Sequence, residues 1–269
     1  MNPQSWSVAS DDYLRYAEAS TTYFAEKSVE FAHLESQTDI NILDVACGTG
    51  VVAAAVVKLL SPTVSLTSTD YASGMVDVVS SKAEKLGWKN VKTEVMDGMN
   101  LPLSEASIDA VFCVFGVMLM PDGAKALSEF HRILVPGGKA VYTTWASQEL
   151  QHLLLNAMAK TKGEEPQGRP WVRSWADLEF CKEQLVAAGF ENVSGVLCSG
   201  DMPTDAENLD EFIASMTRNP GIRTALLKDM NDDQITQFKK ELRASIIEKY
   251  GEQDVYKFRA DANIAMGTK

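Results

Sequence analysis

Between Ile40 and Trp145 the chain alternates short apolar runs with helical stretches, and this rhythm limits the fold more than any other feature. Ile40 to Val45, Val64 to Thr69, Val91 to Val95, Ile108 to Val114 and Lys139 to Trp145 read as strands, short and rich in Val, Ile and Thr. Val51 to Leu60, Ser73 to Leu86 and Lys125 to Leu134 read as helices. Ser61-Pro62 stops the first and Gly87 stands at the C′ position of the second. Pro136-Gly137-Gly138 reads as a turn. Strands that alternate with helices predict right-handed βαβ crossovers, hence an α/β protein with a mainly parallel sheet covered on both faces.

The flanks follow other rules. About Asp11 to Glu35 reads as one helix, with Leu14, Ala17, Phe24 and Phe31 on its apolar stripe. After Trp145, helices are predicted at Gln148 to Lys160 and Trp175 to Ala188, and strands at Asn192 to Cys198 and Lys257 to Met266. About Asp205 to Lys249 is a helical insertion before the last strand, expected to lie over the sheet's ligand-binding edge. Gly163 to Pro170 is polar, with Gly and Pro, and reads as a loop. The net charge of −12 argues against nucleic acid and against an anionic membrane as partners. Cys47, Cys113, Cys181 and Cys198 form no CxxC pair, so no metal site is expected. The N-terminus lacks a basic segment followed by an apolar one, and no run is long enough to span a bilayer, so a cytoplasmic setting is expected.

The chemistry centres on Asp44-Val45-Ala46-Cys47-Gly48-Thr49-Gly50, between the first strand and the next helix. Gly48 and Gly50 permit a tight turn and close approach of a ligand, and the small Ala46 and Cys47 keep that space clear. The helix N-terminus then faces the ligand. Gly48 to Ala53 also fits the dinucleotide pattern G-x-G-x-x-A. Asp44 separates the readings, because a carboxylate there repels a pyrophosphate but attracts the ammonium of a methionine moiety.

This segment resembles motif I of the class I S-adenosylmethionine-dependent methyltransferases (type 11/25), and further matches follow in the family's order. Thr69-Asp70-Tyr71 with Ser73-Gly74-Met75 resembles the acidic turn that binds both ribose hydroxyls. Met96-Asp97-Gly98 with Leu101-Pro102 resembles the adenine-binding turn. Asp109 to Phe112 resembles the fourth-strand motif, whose end at Val114 to Val117 lies beside the methionine arm. His131 to Lys139 resembles the helix-to-strand turn. More loosely, Tyr16-Ala17-Glu18 with Thr21 and Ala25, Phe115-Gly116…Pro121-Asp122, Leu185…Ala188-Gly189-Phe190 and Glu248 to Gly251 resemble fungal small-molecule methyltransferases of the gliotoxin thiol-methyltransferase type.

The resemblance implies a Rossmann-like, doubly wound sheet of seven strands, mostly parallel with the last antiparallel. It implies one methyltransferase domain: an N-terminal lid (1–38), a cofactor-binding core (39–147) and substrate-side helices, insertion and final strands (148–269). It implies S-adenosyl-L-methionine at Tyr16, Thr21, Asp44, Ala46, Cys47, Gly48, Gly50, Asp70, Tyr71, Met75, Asp97, Gly98 and Val114. Tyr13, Phe115, Met118, Trp145 and Trp171 are candidates for the substrate wall, together with Trp175. Each of these also has a plain reading as core or turn residue. Cys47 reads as a small loop residue, His131 as structural, and His152 as the one histidine in reach of a substrate pocket. The expected function is methyl transfer to a small-molecule thiol, hydroxyl or carboxylate in secondary metabolism or detoxification, mainly by proximity. A cofactor-binding relative without activity and an NAD-dependent oxidoreductase are the alternatives.

Overall fold

A computed structural model describes residues 2–165, 173–205 and 209–269, with the side chains of all but Tyr16, Arg173 and Asp205 among them. Three short helices open the chain: α1 (Pro3–Val8), α2 (Ser10–Tyr16) and α3 (Glu18–Phe31). The alternating part follows as β1 (Asn41–Val45), α4 (Val51–Leu59), β2 (Ser65–Asp70), α5 (Ser73–Leu86), β3 (Val91–Val95), β4 (Ile108–Val114), α6 (Gly123–Ile133) and β5 (Leu134–Gln148). Then come α7 (Glu149–Lys162), α8 (Leu178–Ala187), β6 (Glu191–Asp205), α9 (Leu209–Arg218), α10 (Pro220–Ile222), α11 (Asp232–Tyr250) and β7 (Val255–Thr268). The seven strands form one sheet in the order β3-β2-β1-β4-β5-β7-β6, and β7 alone runs antiparallel to its neighbours.

Successive residues of a strand point to opposite faces, and both faces are covered. Ile42, Leu66, Ala110, Phe112, Val141 and Ile264 pack against α3 and α4. Leu43, Val45, Val111, Cys113 and Tyr142 pack with Leu127 and Phe130 of α6 and Leu185 of α8. A third core joins α7, α9 and α11 to Tyr256 and Phe258 of β7. This core supports the helical insertion at the end where β6 and β7 project, in register from Asp205↔Val255.

Two expectations change. The N-terminal helix is interrupted at Ala17, where a φ of −114° and ψ of −25° distort the helical backbone and separate α2 from α3. The helical insertion divides into separate segments. Asn219 accepts from the backbone N–H of Gly221 and Ile222 ahead of α10, and Asn231 forms a capping box with Gln234 ahead of α11. The strands β6 and β7 run well past the expected Asn192 to Cys198 and Lys257 to Met266. They pair with each other beyond the rest of the sheet, and Pro203 is tolerated because β6 is an edge strand.

Candidate active site

The chain runs outward from β1 to β2 and β3, then crosses back to β4. The C-terminal ends of β1 and β4 therefore flank the crevice where an open α/β sheet binds its ligand. Both ends carry a non-glycine residue in the left-handed region: Ala46 at φ 57° and Phe115 at φ 58°. Such backbone costs on the order of 1–3 kcal/mol and persists where surrounding structure over-determines it. Here the determinants are visible. Phe115 donates its N–H to Thr143 Oγ1 at 2.9 Å. The next residue, Gly116, lies so close to β1 that a Cβ there would stand 2.6 Å from the Ala46 Cβ and 2.7 Å from Cys113 Sγ. Gly50, at φ 91°, opens α4 and abuts Val79 of α5.

Asp44 is fully buried. Its Oδ2 accepts from Ser68 Oγ, the opposite residue on β2, at 3.4 Å, and its Oδ1 has no partner. Burial pushes its carboxyl well above the ordinary range, and the nearby Asp70 adds to the rise. An orphaned, buried carboxylate oxygen beside a glycine-turned loop fits a cationic ligand group. Thr49 Oγ1, in the same loop, is also buried and unpartnered.

Asp70, at the end of β2, accepts from the Gly48 N–H at 3.1 Å and the Ala72 N–H at 2.9 Å. Burial raises its pKa and these backbone donors oppose the rise. Each oxygen keeps a lone pair for a further donor. Tyr71 lies close enough to Asp70 and Asp97 that both carboxylates add to the upward shift that burial imposes on its phenol. Asp97 is exposed and accepts from the Met99 N–H at 2.9 Å, while Gly98 is packed under Val45 and Met120. Met75 is buried in α5, Val114 is buried at the end of β4, and Cys47 is buried with its thiol pushed up by burial and by Asp44. A thiol in that state is a weak nucleophile, in keeping with a space-filling role.

The N-terminal helices cover this loop. Ser7 of α1 accepts from the Gly74 N–H at 3.1 Å. The Tyr13 ring of α2 lies 3.9 Å from the Cβ position of Gly48, over the loop after Asp44. Burial pushes its phenol up to about 12, within hydrogen-bonding reach of Thr21 and near Asp70 and Glu18. The Glu18 carboxylate pairs with Lys82, whose ammonium also donates to the Thr49 carbonyl at 2.9 Å. Nothing in the sequence marks Lys82, because this tie exists only once α3, α5 and the loop have met.

At the ends of β4 and β5, Phe115 and Trp145 stack with centroids 3.6 Å apart and planes 11° apart. Phe24 of α3 meets both edge-on, at 5.7 Å and 5.3 Å. The Met118 sulfur accepts from the Trp145 N–H at 3.5 Å. Phe24, the third member, was legible only as part of a helical stripe. Trp175 sits on the other face of the sheet, edge-on to Tyr142 and Phe180 and against Gly123, where it fills core. Trp171 lies outside the described residues, as does the side chain of Tyr16. His152 is exposed on α7, a helix that packs on α11. His131 packs edge-on against Phe190, a structural position.

Comparison with known proteins fits this geometry. Residues 42–138 match the family described as "Methyltransferase domain". The methyltransferase ktnA of Aspergillus niger is 30% identical over 215 residues, covering 68% of this chain and 71% of its own. The methyltransferase tpcH of Aspergillus fumigatus is 28% identical over 66% of this chain and 65% of its own. Among solved structures, the YcgJ protein of Bacillus subtilis superposes with a TM-score of 0.59 at 18% identity, over 92% of this chain and 98% of its own. The [4+2]-cyclase SpnF superposes at 0.56 and 19% identity, over 92% and 81%. These two likenesses concern the fold alone, and the second is a reminder that a fold does not name a reaction. The site at the β1–β4 crevice and the relatives agree: this chain belongs to the class I S-adenosylmethionine-dependent methyltransferases.

Proposed function

We propose that the chain methylates a small-molecule acceptor bearing a thiol, a hydroxyl or a carboxylate, and that positioning supplies most of the acceleration. The stacked Phe115–Trp145 pair, closed by Phe24, carries this reading. It stands at the ends of β4 and β5 beside the loop after Asp44, with Phe24 and Phe115 buried and Trp145 part-buried, so that Trp145 is the ring left to meet an acceptor, and the trio has no ionisable group of its own. Such a wall orients an acceptor and excludes water. Orientation of this kind is worth roughly 7–11 kcal/mol at best.

In this reading the work divides along the chain: a lid (1–38), a donor core (39–147) and an acceptor side (148–269). Asp44 holds the ammonium of the cofactor, Asp70 its ribose, and Tyr71, Asp97 and Gly98 its adenine. Ala46, Cys47, Gly48, Gly50, Met75 and Val114 shape the cradle, and Tyr13, Tyr16 and Thr21 close it. The cofactor, when bound, supplies a methyl group activated by its sulfonium for in-line displacement. An acceptor thiol is already partly ionised near neutral pH, so it needs little help from a base. The fungal relatives favour a role in secondary metabolism or detoxification, and the four free thiols suit a cytoplasmic setting.

The test is a pooled assay. Labelled S-adenosylmethionine is offered with thiols, phenols and acids, and the product is identified by mass spectrometry. Label in a small molecule supports the reading; binding of S-adenosylhomocysteine with no transfer to any pool overturns it. His152→Ala is expected to leave turnover unchanged, and its loss with cofactor binding intact would replace proximity with base catalysis.

A further inference from the structure

The helix that covers the cofactor loop is held from two sides, and one of them is far from that loop. Asp12 of α2 receives a forked pair from Arg218 at the end of α9: Nε to Oδ2 at 2.5 Å and Nη2 to Oδ1 at 2.8 Å. The partners are 206 residues apart in sequence. Arg218 Nη2 also donates to Glu211, about two turns back on the same face of α9, at 2.6 Å, which fixes the guanidinium's direction. At the other end of the segment, Glu18 pairs with Lys82, and Lys82 holds the Thr49 carbonyl. Tyr13 lies between these anchors, over Gly48. The Lys82 anchor belongs to the donor-binding core. The Arg218 anchor belongs to the insertion, whose own packing is with α7 and the far end of β7.

A partly exposed ion pair contributes little to global stability. It counts in full, however, against a local opening that breaks only a few contacts. Swinging α1 and α2 off the loop is such an opening. Its cost includes the Ser7–Gly74 contact and the packing of α1 and α2 on α5, the Tyr13 ring over Gly48 with its bond to Thr21, and the Arg218 fork.

We propose that Arg218 is a positioning residue for the methyl donor: through Asp12 it keeps Tyr13 over the loop, so that release of spent cofactor depends on the acceptor-side insertion. The inference rests on the reading of the Asp44 loop as the S-adenosylmethionine site. When α9 is docked the lid is strapped, and when α9 shifts the strap is lost. Cofactor exchange is thereby tied to the state of the acceptor side.

The dissociation rate of labelled S-adenosylhomocysteine, chased with unlabelled ligand, tests this on the full chain. Release from Arg218→Met is expected to be on the order of five-fold faster, and Asp12→Asn similar. Arg218→Lys falls between, since it keeps the charge and loses the fork. Raising salt from about 50 mM to about 500 mM speeds release from the wild type more than from Arg218→Met, which keeps only the Glu18–Lys82 pair. Melting temperatures of the variants stay near that of the wild type. Unchanged release from Arg218→Met overturns the inference, and so does faster release accompanied by a large fall in melting temperature with no recovery in Arg218→Lys. A wild-type chain that does not bind S-adenosylhomocysteine overturns the donor reading itself, a result separate from either.

Discussion

The donor side and the acceptor side of this sheet are built differently. On the proposed donor side, β1 to β4 are parallel strands of five to seven residues, and Asp44, Asp70 and Asp97 sit at or near the ends of theirs. On the acceptor side, β6 and β7 are 15 and 14 residues long and pair antiparallel, and helices rise from their projecting end. There the wall is assembled from α3, β4 and β5. On the proposed reading the donor site is a set of strand ends, so local motifs specify it, and the acceptor site is a set of packed faces, so it depends on which helix meets which strand.

Substitutions on the two sides should therefore separate into two kinds of effect. The largest is expected at Asp44. Asp44→Asn removes the buried charge that meets the donor's ammonium, and affinity for S-adenosylhomocysteine should fall about 100-fold by calorimetry, the scale of losing a buried charge partner. The ligand-free protein should melt a few degrees higher, because an unpaired buried carboxylate is no longer desolvated. The pH dependence has a definite sign. The Asp44 pKa is raised in the folded chain. Ligand-free stability should thus decline as pH rises from the ordinary carboxylate range through that raised value. Affinity for the cationic ligand should be lost as pH falls through the same value. Affinity that is flat with pH, or unchanged in Asp44→Asn, would falsify the assignment.

Gly116→Ala tests the seam between the sides. Its Cβ would collide with Ala46 and Cys113, at a cost of roughly 1–3 kcal/mol, so both donor affinity and acceptor KM should worsen and the melting temperature drop by several degrees. A variant that affects one side alone would show that the seam is not shared. Trp145→Ala should raise acceptor KM about tenfold while donor Kd stays within about two-fold, because its ring belongs to the wall and not to the loop. If steady-state kinetics show donor affinity falling as far as acceptor KM rises, the division is wrong. The smallest effect is expected at Asp97, which is exposed and already holds the Met99 N–H. Asp97→Ala should weaken donor binding only a few-fold, on the scale of one hydrogen bond.

The strands at Val91–Val95 and Ile108–Val114 and the helix at Ser73–Leu86 were legible to the residue, since apolar period and stop signals agree there. The break at Ala17 was not. Its residues are acceptable helix formers, and the turn arises because α2 folds onto Gly48 while α3 packs on β6. That Tyr13 comes to lie over Gly48 was hidden for the same reason. Trp145 and Trp175 looked equivalent as candidates for the substrate wall. They sort onto opposite faces of the sheet, a matter of strand register and of the helices behind each face. The strained backbone of Ala46 and Phe115 left no trace in residue type, because neither is a residue that favours positive φ.

What the sequence determined by itself is the donor loop. A carboxylate, two small residues and two glycines between a strand and a helix can be read within seven residues, because the groups that define the motif are adjacent in the chain. What only the tertiary structure decided is how that loop is closed and what faces it: Tyr13 above Gly48, Lys82 on the Thr49 carbonyl, Arg218 on Asp12, Phe24 across Phe115 and Trp145. Each of these contacts joins segments distant in sequence. Their geometry is set by packing, which depends on all partners at once and is written in no single stretch of residues.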